Sequence, residues 1–205
     1  MKQALRLIGL CLSILYWPRI VLALNLVLDS AASYALSRCF KKCGRGFNLM
    51  RPYRIKGFSC IEIGSGFCAM ERLRLEVFQC HNGNRYNPKI RIGNRVSLNT
   101  DCHIGCMNAI DIGDDVLIAS RVFITDHFHG EIATSVLDQP PSKRALVSKG
   151  RVRIEDGAWI GEGAVIMPGV CIGRAAIIGA NAVVTRDVPA GAVVGGIPAR
   201  VIKQL

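Results

Sequence analysis

An aliphatic residue recurs at every sixth position over the C-terminal part of this chain. The series consists of Ile154, Ile160, Ile166, Ile172, Ile178 and Val184, and a small or aliphatic residue stands two positions before each member. An α-helix has 3.6 residues per turn and would scatter these positions over its surface, whereas six residues accommodate one short strand and one turn. The period therefore predicts short strands that stack in parallel, coil upon coil.

The same six-residue pattern occurs upstream in two further blocks. From Ile92 it gives IGNRVS, LNTDCH and IGCMNA, and after a shift of two residues it resumes at Ile112 with IGDDVL, IASRVF and ITDHFH. An isolated earlier copy begins at Ile63. Three units make a coil of about eighteen residues, and glycine suits the corners between the strands. We predict an all-β domain at residues 56–205, built as a parallel β-helix of about six or seven coils.

The pattern stops after Ile124, at the stretch ITDHFHGE, and resumes at Val152. A stacked β-helix can extrude a loop from one corner without disturbing its neighbours, and long loops in compact domains are often functional. We therefore expect residues 126–151 to form a functional loop. It holds two of the four histidines, His127 and His129. Imidazole titrates near pH 6.5 and can serve as a general base toward a hydroxyl, although a histidine pair can also hold loop backbone.

Residues 1–55 form a separate N-terminal segment that is apolar and basic. Residues 1–60 carry ten Lys or Arg and a single acid, Asp29, so the net charge of +11 originates mainly there. Pro18 and Arg19 divide the apolar run into two predicted helices, each short for a membrane span. We expect contact with a membrane surface through residues 1–45, at the inner face of the cytoplasmic membrane. Packing as a cap on the β domain and a true span are the alternatives, and no nucleic-acid motif is present.

The nine cysteines contain no CxxC pair. Several fall on inward positions of the repeat, where Cys acts as a small apolar residue, and a reduced cytoplasmic compartment fits this usage. Cys102, His103 and Cys106 could suggest a metal site, but no fourth ligand is evident. Thiols in a β core are the simpler interpretation, and we expect no metal.

The hexapeptides, the Trp159-Ile160-Gly161 unit and the C-terminal stretch IGANAVVTRDVPAGAVVGGIPARVIK resemble the hexapeptide-repeat acyltransferases. The resemblance covers roughly residues 88–205 and is greatest to the galactoside, maltose and surface-polysaccharide O-acetyltransferases. The DHFHG stretch is similar to that of the lipopolysaccharide and exopolysaccharide O-acetyltransferases. The resemblance implies a left-handed β-helix, a homotrimer and acetyl-CoA as co-substrate.

The resemblance also implies roles for individual residues. His127 matches the catalytic base, which would deprotonate a sugar hydroxyl for direct attack on acetyl-CoA without an acyl-enzyme. Asn99 matches a substrate-binding asparagine, or is a corner residue with positive φ. Asp126 would hold the local turn or touch substrate, and His129 is a further substrate contact or the alternative base.

Seven positions match the acetyl-CoA contacts of the family. They are Gly161, Glu162, Ala180, Thr185, Arg186, Arg200 and Lys203. Small residues would admit the pantetheine arm, and basic ones suit phosphate. Glu162 departs from the usual small or neutral residue. Ala180 could equally be an ordinary core or corner alanine, and Arg200 and Lys203 could be solvated charges of the C-terminal tail.

We therefore expect an acetyl-CoA-dependent O-acetyltransferase that modifies a sugar hydroxyl of a bacterial surface polysaccharide or of its lipid-linked precursor. Acetylation of a small soluble acceptor, such as a free sugar, serine or an antibiotic, is a second possibility. A metal-dependent hydratase built on similar coils would need His103, His127 and His129 to meet. A non-catalytic membrane-associated scaffold would have no affinity for coenzyme A.

Overall fold

The computed structural model describes residues 1–15, 18–131, 133 and 138–205. Two α-helices come first, α1 (Lys2–Leu15) and α2 (Pro18–Ser37). Short 3-10 helices occur at Phe58–Cys60 and Pro141–Lys143. The rest of the regular structure is made of short strands, so the predicted N-terminal helices and the predicted β body are both present.

The strands run from near the end of α2 to the end of the chain. The first twelve are β1 (Lys42–Cys43), β2 (Asn48–Leu49), β3 (Arg54–Lys56), β4 (Ile61–Ile63), β5 (Cys68–Ala69), β6 (Arg74–Val77), β7 (Cys80–His81), β8 (Asn84–Arg85), β9 (Lys89–Ile92), β10 (Ser97–Leu98), β11 (His103–Cys106) and β12 (Ala109–Ile112). They are followed by β13 (Leu117–Ile118), β14 (Phe123–Thr125), β15 (Phe128–His129), β16 (Leu146–Val147), β17 (Val152–Ile154), β18 (Trp159–Ile160), β19 (Val165–Ile166), β20 (Cys171–Ile172), β21 (Ile177–Ile178), β22 (Val183–Val184), β23 (Ala192–Gly196) and β24 (Ala199–Gln204).

Three mostly parallel sheets contain all of these strands in rotation except β7, β8, β15 and β16, which form two separate antiparallel pairs. Sheet A has the order β1-β4-β9-β12-β17-β20, sheet B the order β2-β5-β10-β13-β18-β21-β23-β24, and sheet C the order β22-β19-β14-β11-β6-β3. Consecutive strands such as β9, β10 and β11 thus lie in A, B and C, and β12 returns to pair with β9. The last strand, β24, is antiparallel to β23.

The core lies between the three sheets and consists of the residues that the period selects. Ile154, Ile160 and Ile166 are at most 1% exposed, and Ala158 and Ala164 from the intervening positions are equally buried. The upstream blocks behave in the same way, since Ile92 and Ile112 are at most 4% exposed. The predicted inward positions and the parallel stacking are therefore confirmed.

All three long coils gain their extra residues at one corner, between sheet C and sheet A. The β7–β8 hairpin follows β6, two residues separate β11 from β12, and residues 126–151 separate β14 from β17. The first and third insertions contact each other, because the Leu146 N–H donates to Tyr86 Oη (3.0 Å) and Asn82 Nδ2 donates to the Ser142 carbonyl (2.8 Å). The predicted loop at 126–151 falls partly outside the described residues, at 132 and 134–137.

The second half of α2 is fixed to the first coil. Arg51 Nε lies 2.5 Å from the Asp29 carboxylate, and the Leu49 N–H donates to Ser33 Oγ at 2.9 Å. The sheets already begin at Lys42, so residues 42–55, which the sequence assigned to the N-terminal segment, belong to the first turn of the β structure. The body therefore starts earlier than the predicted boundary at residue 56.

Candidate active site

A cavity of about 420 Å³ opens on the outer face of sheet C, at the corner that carries the insertions. Its apolar lining comes from Phe78, Phe123, Phe128 and Met167, and its polar lining from Arg74, Glu76, His103, Thr125, His127 and His129. Three of the four histidines in the chain thus line one cavity. The fourth, His81, meets the His129 ring edge to face with ring centroids 5.5 Å apart.

Two columns of residues in register across sheet C run through the floor of this cavity and continue past it onto β3. One column contains Arg54, Arg74, His103 and Phe123, and the other contains Lys56, Glu76, Gly105 and Thr125. Gly105 leaves a gap in the second column. A Cβ at this position would lie 3.5 Å from His127 Cε1 and 3.8 Å from His103 Nε2. A larger side chain there would therefore fill the space between the two imidazoles.

His127 is positioned by Asp126 at the end of β14. Its Nδ1 lies 2.9 Å from Asp126 Oδ1, and its side chain is 8% exposed. The Phe78 ring meets the imidazole edge to face at a centroid distance of 5.2 Å. Because a carboxylate can only accept, Nδ1 carries the proton and Nε2 is the basic nitrogen.

Asp126 is itself held by the neighbouring coil. Its side chain is fully buried and accepts hydrogen bonds from the backbone N–H of Met107 (2.8 Å) and of Asn108 (2.7 Å), while the Cys106 thiol lies 3.3 Å from Oδ2. Burial alone would raise the pKa of Asp126, but the hydrogen bonds from His127 and the two backbone N–H groups outweigh it and lower the pKa. The carboxylate is therefore ionised at neutral pH and fixes the imidazole.

This arrangement can accept a proton from a bound hydroxyl. The buried Asp126 carboxylate orients the ring and stabilises the imidazolium that forms when Nε2 takes a proton. The partly apolar walls limit water around the ring, which strengthens the interaction between the two charges. The geometry is therefore that of a general base with its orienting carboxylate.

Two other histidines of the cavity have lowered pKa values. Burial lowers the pKa of His103, and the neighbouring Arg74 charge adds to the effect, so His103 is neutral at neutral pH. Burial also lowers the pKa of His129, with contributions from the nearby His81 and His127. Glu76 is 5% exposed and lies 3.2 Å from His103 Nε2. That nitrogen is the only buried side-chain N or O in the described part of the chain that lacks hydrogen-bond geometry to any partner.

The predicted substrate contacts have different surroundings. His129 lines the cavity. Asp126 is inaccessible behind His127, so its position is that of an orienting group and a direct substrate contact is ruled out by its burial. Asn99 lies at the corner after β10 and does not line the cavity. It does not have positive φ either, because Asp101 occupies that position of the corner with φ of 61°.

The seven predicted acetyl-CoA contacts lie away from the cavity lining. Gly161, Glu162 and Ala180 occupy the corner between sheets B and C, Thr185 and Arg186 follow β22 at the far end of sheet C, and Arg200 and Lys203 lie on β24. Met167, in the cavity wall, is bonded through its N–H to the Val184 carbonyl, so Thr185 lies one coil beyond it. A single chain does not bring these residues together with His127.

Two of these positions have structural roles of their own. A Cβ at Gly161 would lie 2.5 Å from the Ile178 carbonyl oxygen, so glycine is needed for the close stacking of coils. Glu162, the residue that departs from the family pattern, forms an ion pair with Arg121. Ala180 is exposed, which excludes the interpretation of this residue as a core alanine.

Cys102, His103 and Cys106 do not converge on one point. Cys102 Sγ donates to the Ala119 carbonyl (3.1 Å) and Cys106 contacts Asp126, both inside the core, while His103 faces the cavity. Burial raises the pKa of the Cys102 thiol to about 11, so it stays protonated. Among the described residues, no group of three His, Cys, Asp or Glu side chains has the arrangement of a metal site.

Sequence reasoning missed the groups that hold Asp126. They are the backbone N–H groups of Met107 and Asn108, which are the two residues inserted between β11 and β12. The shift of two residues in the six-residue pattern before Ile112 was the available signal. The pairing of Glu76 with His103 left no such signal, because the two residues come from different coils.

Comparison with known proteins identifies the family. The bacterial transferase hexapeptide family (six repeats) matches residues 151–186. The protein WbbJ of Escherichia coli (strain K12), provisionally named a lipopolysaccharide biosynthesis O-acetyl transferase, is 36% identical over 157 residues. The alignment covers 75% of this chain and 76% of WbbJ. This chain belongs to the hexapeptide-repeat acyltransferases.

Solved structures of acetyltransferases have folds similar to that of this chain. A hexapeptide-repeat acetyltransferase from Vibrio cholerae O1 biovar eltor, complexed with acetyl-CoA, is 27% identical to this chain with a TM-score of 0.61. The match covers 92% of this chain and 84% of the Vibrio cholerae chain. A maltose O-acetyltransferase from Clostridium difficile 630 is 28% identical with a TM-score of 0.57, covering 83% of this chain and 72% of its own. The predicted enzyme class is confirmed, and the acetyl-CoA bound to the Vibrio cholerae protein agrees with the predicted co-substrate.

Proposed function

We propose that this acyltransferase moves the acetyl group of acetyl-CoA to a sugar hydroxyl of a bacterial surface polysaccharide or of its lipid-linked precursor. The observation that carries the proposal is the buried Asp126–His127 pair, which faces a cavity of about 420 Å³ on a hexapeptide-repeat body. The similarity to WbbJ supports a glycan acceptor, and the similarity to a maltose O-acetyltransferase supports a sugar hydroxyl.

His127 is the general base of the proposed reaction. Nε2 takes the hydroxyl proton as the sugar oxygen attacks the thioester carbonyl, and a tetrahedral intermediate forms. When the intermediate collapses, the C–S bond breaks, and the imidazolium returns the proton to the departing thiolate of coenzyme A. Asp126 orients the ring throughout and stabilises its protonated form. No acyl-enzyme is formed.

We propose a homotrimer with the acetyl-CoA site between neighbouring subunits. Leu117, Trp159, Ile177 and Val193 follow one another in register on the outer face of sheet B, and Leu117 and Trp159 are 42% and 50% exposed. Such an apolar strip supports self-association. In the trimer, the seven predicted cofactor positions on sheets B and C would contact acetyl-CoA beside His127 of a neighbouring subunit. Asn99 would contact the sugar acceptor bound at that neighbour's His127. The winding would be left-handed, as the family resemblance implies.

The N-terminal helices are proposed to contact the inner face of the cytoplasmic membrane. Leu5, Leu7, Leu10, Leu22 and Leu24 are all more than half exposed. Among the described residues, the segment Ile20–Ser37 is the one helical stretch long and apolar enough to cross a membrane, with a mean hydropathy of 1.6. Basic residues near these helices, such as Lys2, Arg6 and Arg38, complement anionic headgroups.

The proposal is tested with the purified full chain in detergent and acetyl-CoA labelled in the acetyl group. Lipid-linked oligosaccharides and soluble sugars are prepared separately from cells that make an O-acetylated surface glycan, and each fraction is offered as acceptor. We expect label in the oligosaccharide that mild base releases, as it does from an ester. Label that enters only free maltose, serine or another small acceptor would instead establish the soluble-acceptor alternative.

A further inference from the structure

An unusual group of charges lies on sheet C, beside the cavity that holds His127. The Glu76 carboxylate is 3.1 Å from Arg54 Nε, 3.7 Å from Lys56 Nζ and 2.7 Å from Arg74 Nη2. The carboxylate is 5% exposed, whereas the three cationic side chains are 48–59% exposed. The negative charge is thus buried beneath a basic surface.

The charges in this basic surface do not cancel. Burial would raise the pKa of Glu76, but its hydrogen bond from Arg74 and the charges of Arg74 and Arg54 lower it, so the carboxylate is ionised at neutral pH. His103 is neutral there, because burial and Arg74 lower its pKa. Three cations therefore face one anion, and two positive charges remain unmatched. Each guanidinium has five N–H donors, and Glu76 engages only part of them.

The basic surface is continuous with the cavity. Arg74, Glu76 and His103 line the cavity itself, and Arg54 and Lys56 continue its two columns onto β3, the edge strand of sheet C. The path from β14 to β3 crosses three strand spacings, roughly 14 Å, which leaves room for a sugar between His127 and the outermost cations. The His103 imidazole lies along this path, with Nε2 3.2 Å from the Glu76 carboxylate.

We propose that the acceptor is anionic: a glycan linked to phosphate or diphosphate, which Arg54, Lys56 and Arg74 bind while the sugar hydroxyl reaches His127. This inference rests on the proposed function and specifies its substrate class. Arginine matches phosphate oxygens with two parallel donors, and a diphosphate carries charge to match the two unpaired cations.

A glycosyl diphosphate lipid and a soluble sugar phosphate present the same chemistry to these cations. The geometry favours the lipid form. The basic surface leads toward the first coil, which contains β3 and also β2, and α2 packs on β2 through Ser33 and Leu49. The exposed apolar helices thus stand at the end of the molecule toward which the phosphate end of the acceptor would point.

Three matched acceptors separate these possibilities. The first is the intact lipid-linked oligosaccharide, the second is the soluble oligosaccharide 1-phosphate obtained from it with a pyrophosphatase, and the third is the free oligosaccharide released by mild acid. Acetyl transfer to each is measured with the full chain in detergent, as kcat/KM, at low and high salt. We expect kcat/KM for both phosphate-bearing acceptors to be at least about tenfold higher than for the free oligosaccharide, and highest for the lipid form. High salt should reduce this difference.

The matched variants are the double substitution Arg54→Gln with Lys56→Gln, and the control Arg91→Gln. Arg91 is also half exposed and ion-paired, 2.9 Å from Asp111, but it lies on sheet A. In the double variant, the ratio of kcat/KM for phosphate-bearing to free acceptor should fall by about ten- to a hundredfold, through KM, because two charge-assisted contacts are lost. Arg91→Gln should leave this ratio unchanged.

Each outcome decides between the proposals. Equal kcat/KM for free and phosphate-bearing oligosaccharide, or a ratio that the double variant leaves unchanged, overturns the phosphate site while leaving the acetyltransferase assignment intact. A preference for the lipid form alone, with the 1-phosphate no better than free oligosaccharide, also overturns it. If kcat/KM for the 1-phosphate equals that for the lipid form, the phosphate site is supported and the preference for a lipid-linked acceptor is wrong. If none of the three acceptors is acetylated, the proposed function itself fails.

Discussion

Replacement of Asp126 by asparagine removes the group that orients His127 while preserving its size. The carboxylate now accepts from His127 Nδ1 and from two backbone N–H groups at 2.7–2.9 Å, and the Cys106 thiol is 3.3 Å away. An amide has one acceptor oxygen, so its NH2 group must face at least one of these donors. Loss of one charge-assisted bond and exposure of a buried N–H to a second donor should cost roughly 2–4 kcal/mol of unfolding free energy.

Asp126→Asn should also slow turnover. An amide has no charge to stabilise the imidazolium, and its NH2 group can face Nδ1 and impose the wrong tautomer, so kcat should fall by roughly 10²–10⁴. The KM for acetyl-CoA should change little, because the predicted cofactor positions do not contact Asp126. The assay is acetyl transfer from labelled acetyl-CoA, with urea unfolding on the same samples.

Asp111→Asn is the matched control for this substitution. Asp111 is 20% exposed, pairs with Arg91 on sheet A and with Arg151 just before β17, and does not line the cavity. This variant should lose little turnover. A folded Asp126→Asn protein whose kcat stays within about twofold of the unsubstituted enzyme would refute the assigned role of the pair.

Other substitutions test the remaining assignments. His129→Gln should lower kcat by less than about tenfold, since His129 lines the cavity without the orienting carboxylate, and a loss as large as that of a general base would transfer the role to it. Gly161→Ala should destabilise the protein by about 1–3 kcal/mol in urea unfolding, because the new Cβ would lie 2.5 Å from the Ile178 oxygen, whereas Gly9→Ala, with no atom within 4 Å, should not. Hydrogen bonds from Lys89 and Lys41 lower the pKa of Glu62 to about 2. The ionised Glu62 therefore stabilises the fold fully above its ordinary pKa near 4.5, and this stabilisation is lost as the pH falls toward 2. The difference in thermal midpoint between Glu62→Gln and the unsubstituted protein should accordingly vanish at the acid end of this range. Deletion of residues 1–27, which spares Asp29 and Ser33, should abolish sedimentation with anionic vesicles and leave acetylation of soluble sugars, and retained sedimentation would contradict the membrane assignment.

The β body could be predicted from the sequence because a single repeat determines it. Every sixth residue from Ile154 to Val184 must enter the same narrow core, so the strands and their inward faces follow from the period alone. The interruption after Ile124 likewise indicated where a site could form. The hexapeptide family and its chemistry were recognised from the same repeats.

The details of the site depended on contacts between coils. Asp126 was expected to hold the local turn or to touch substrate, and its carboxylate instead accepts hydrogen bonds from the N–H groups of Met107 and Asn108, eighteen or nineteen positions earlier. The sequence around Asp126 could not reveal these hydrogen bonds, because the donors lie on the preceding coil. Which residues of two neighbouring coils meet at this corner depends on the different lengths of their insertions. Asn99 and the predicted cofactor positions lie outside the His127 cavity of the single chain. In the proposed trimer, they would reach this cavity from a neighbouring subunit.

The central claim is that His127 removes the proton from a sugar hydroxyl, and His127→Ala tests it most directly. The variant and the unsubstituted chain are compared in acetyl transfer to the lipid-linked oligosaccharide, after acetyl-CoA binding to both has been measured. The expected result is base-labile label in the oligosaccharide with the unsubstituted chain and a rate roughly 10²–10⁴ lower with the variant, at similar acetyl-CoA affinity. A folded His127→Ala protein that binds acetyl-CoA and transfers acetyl at nearly the original rate would contradict the claim.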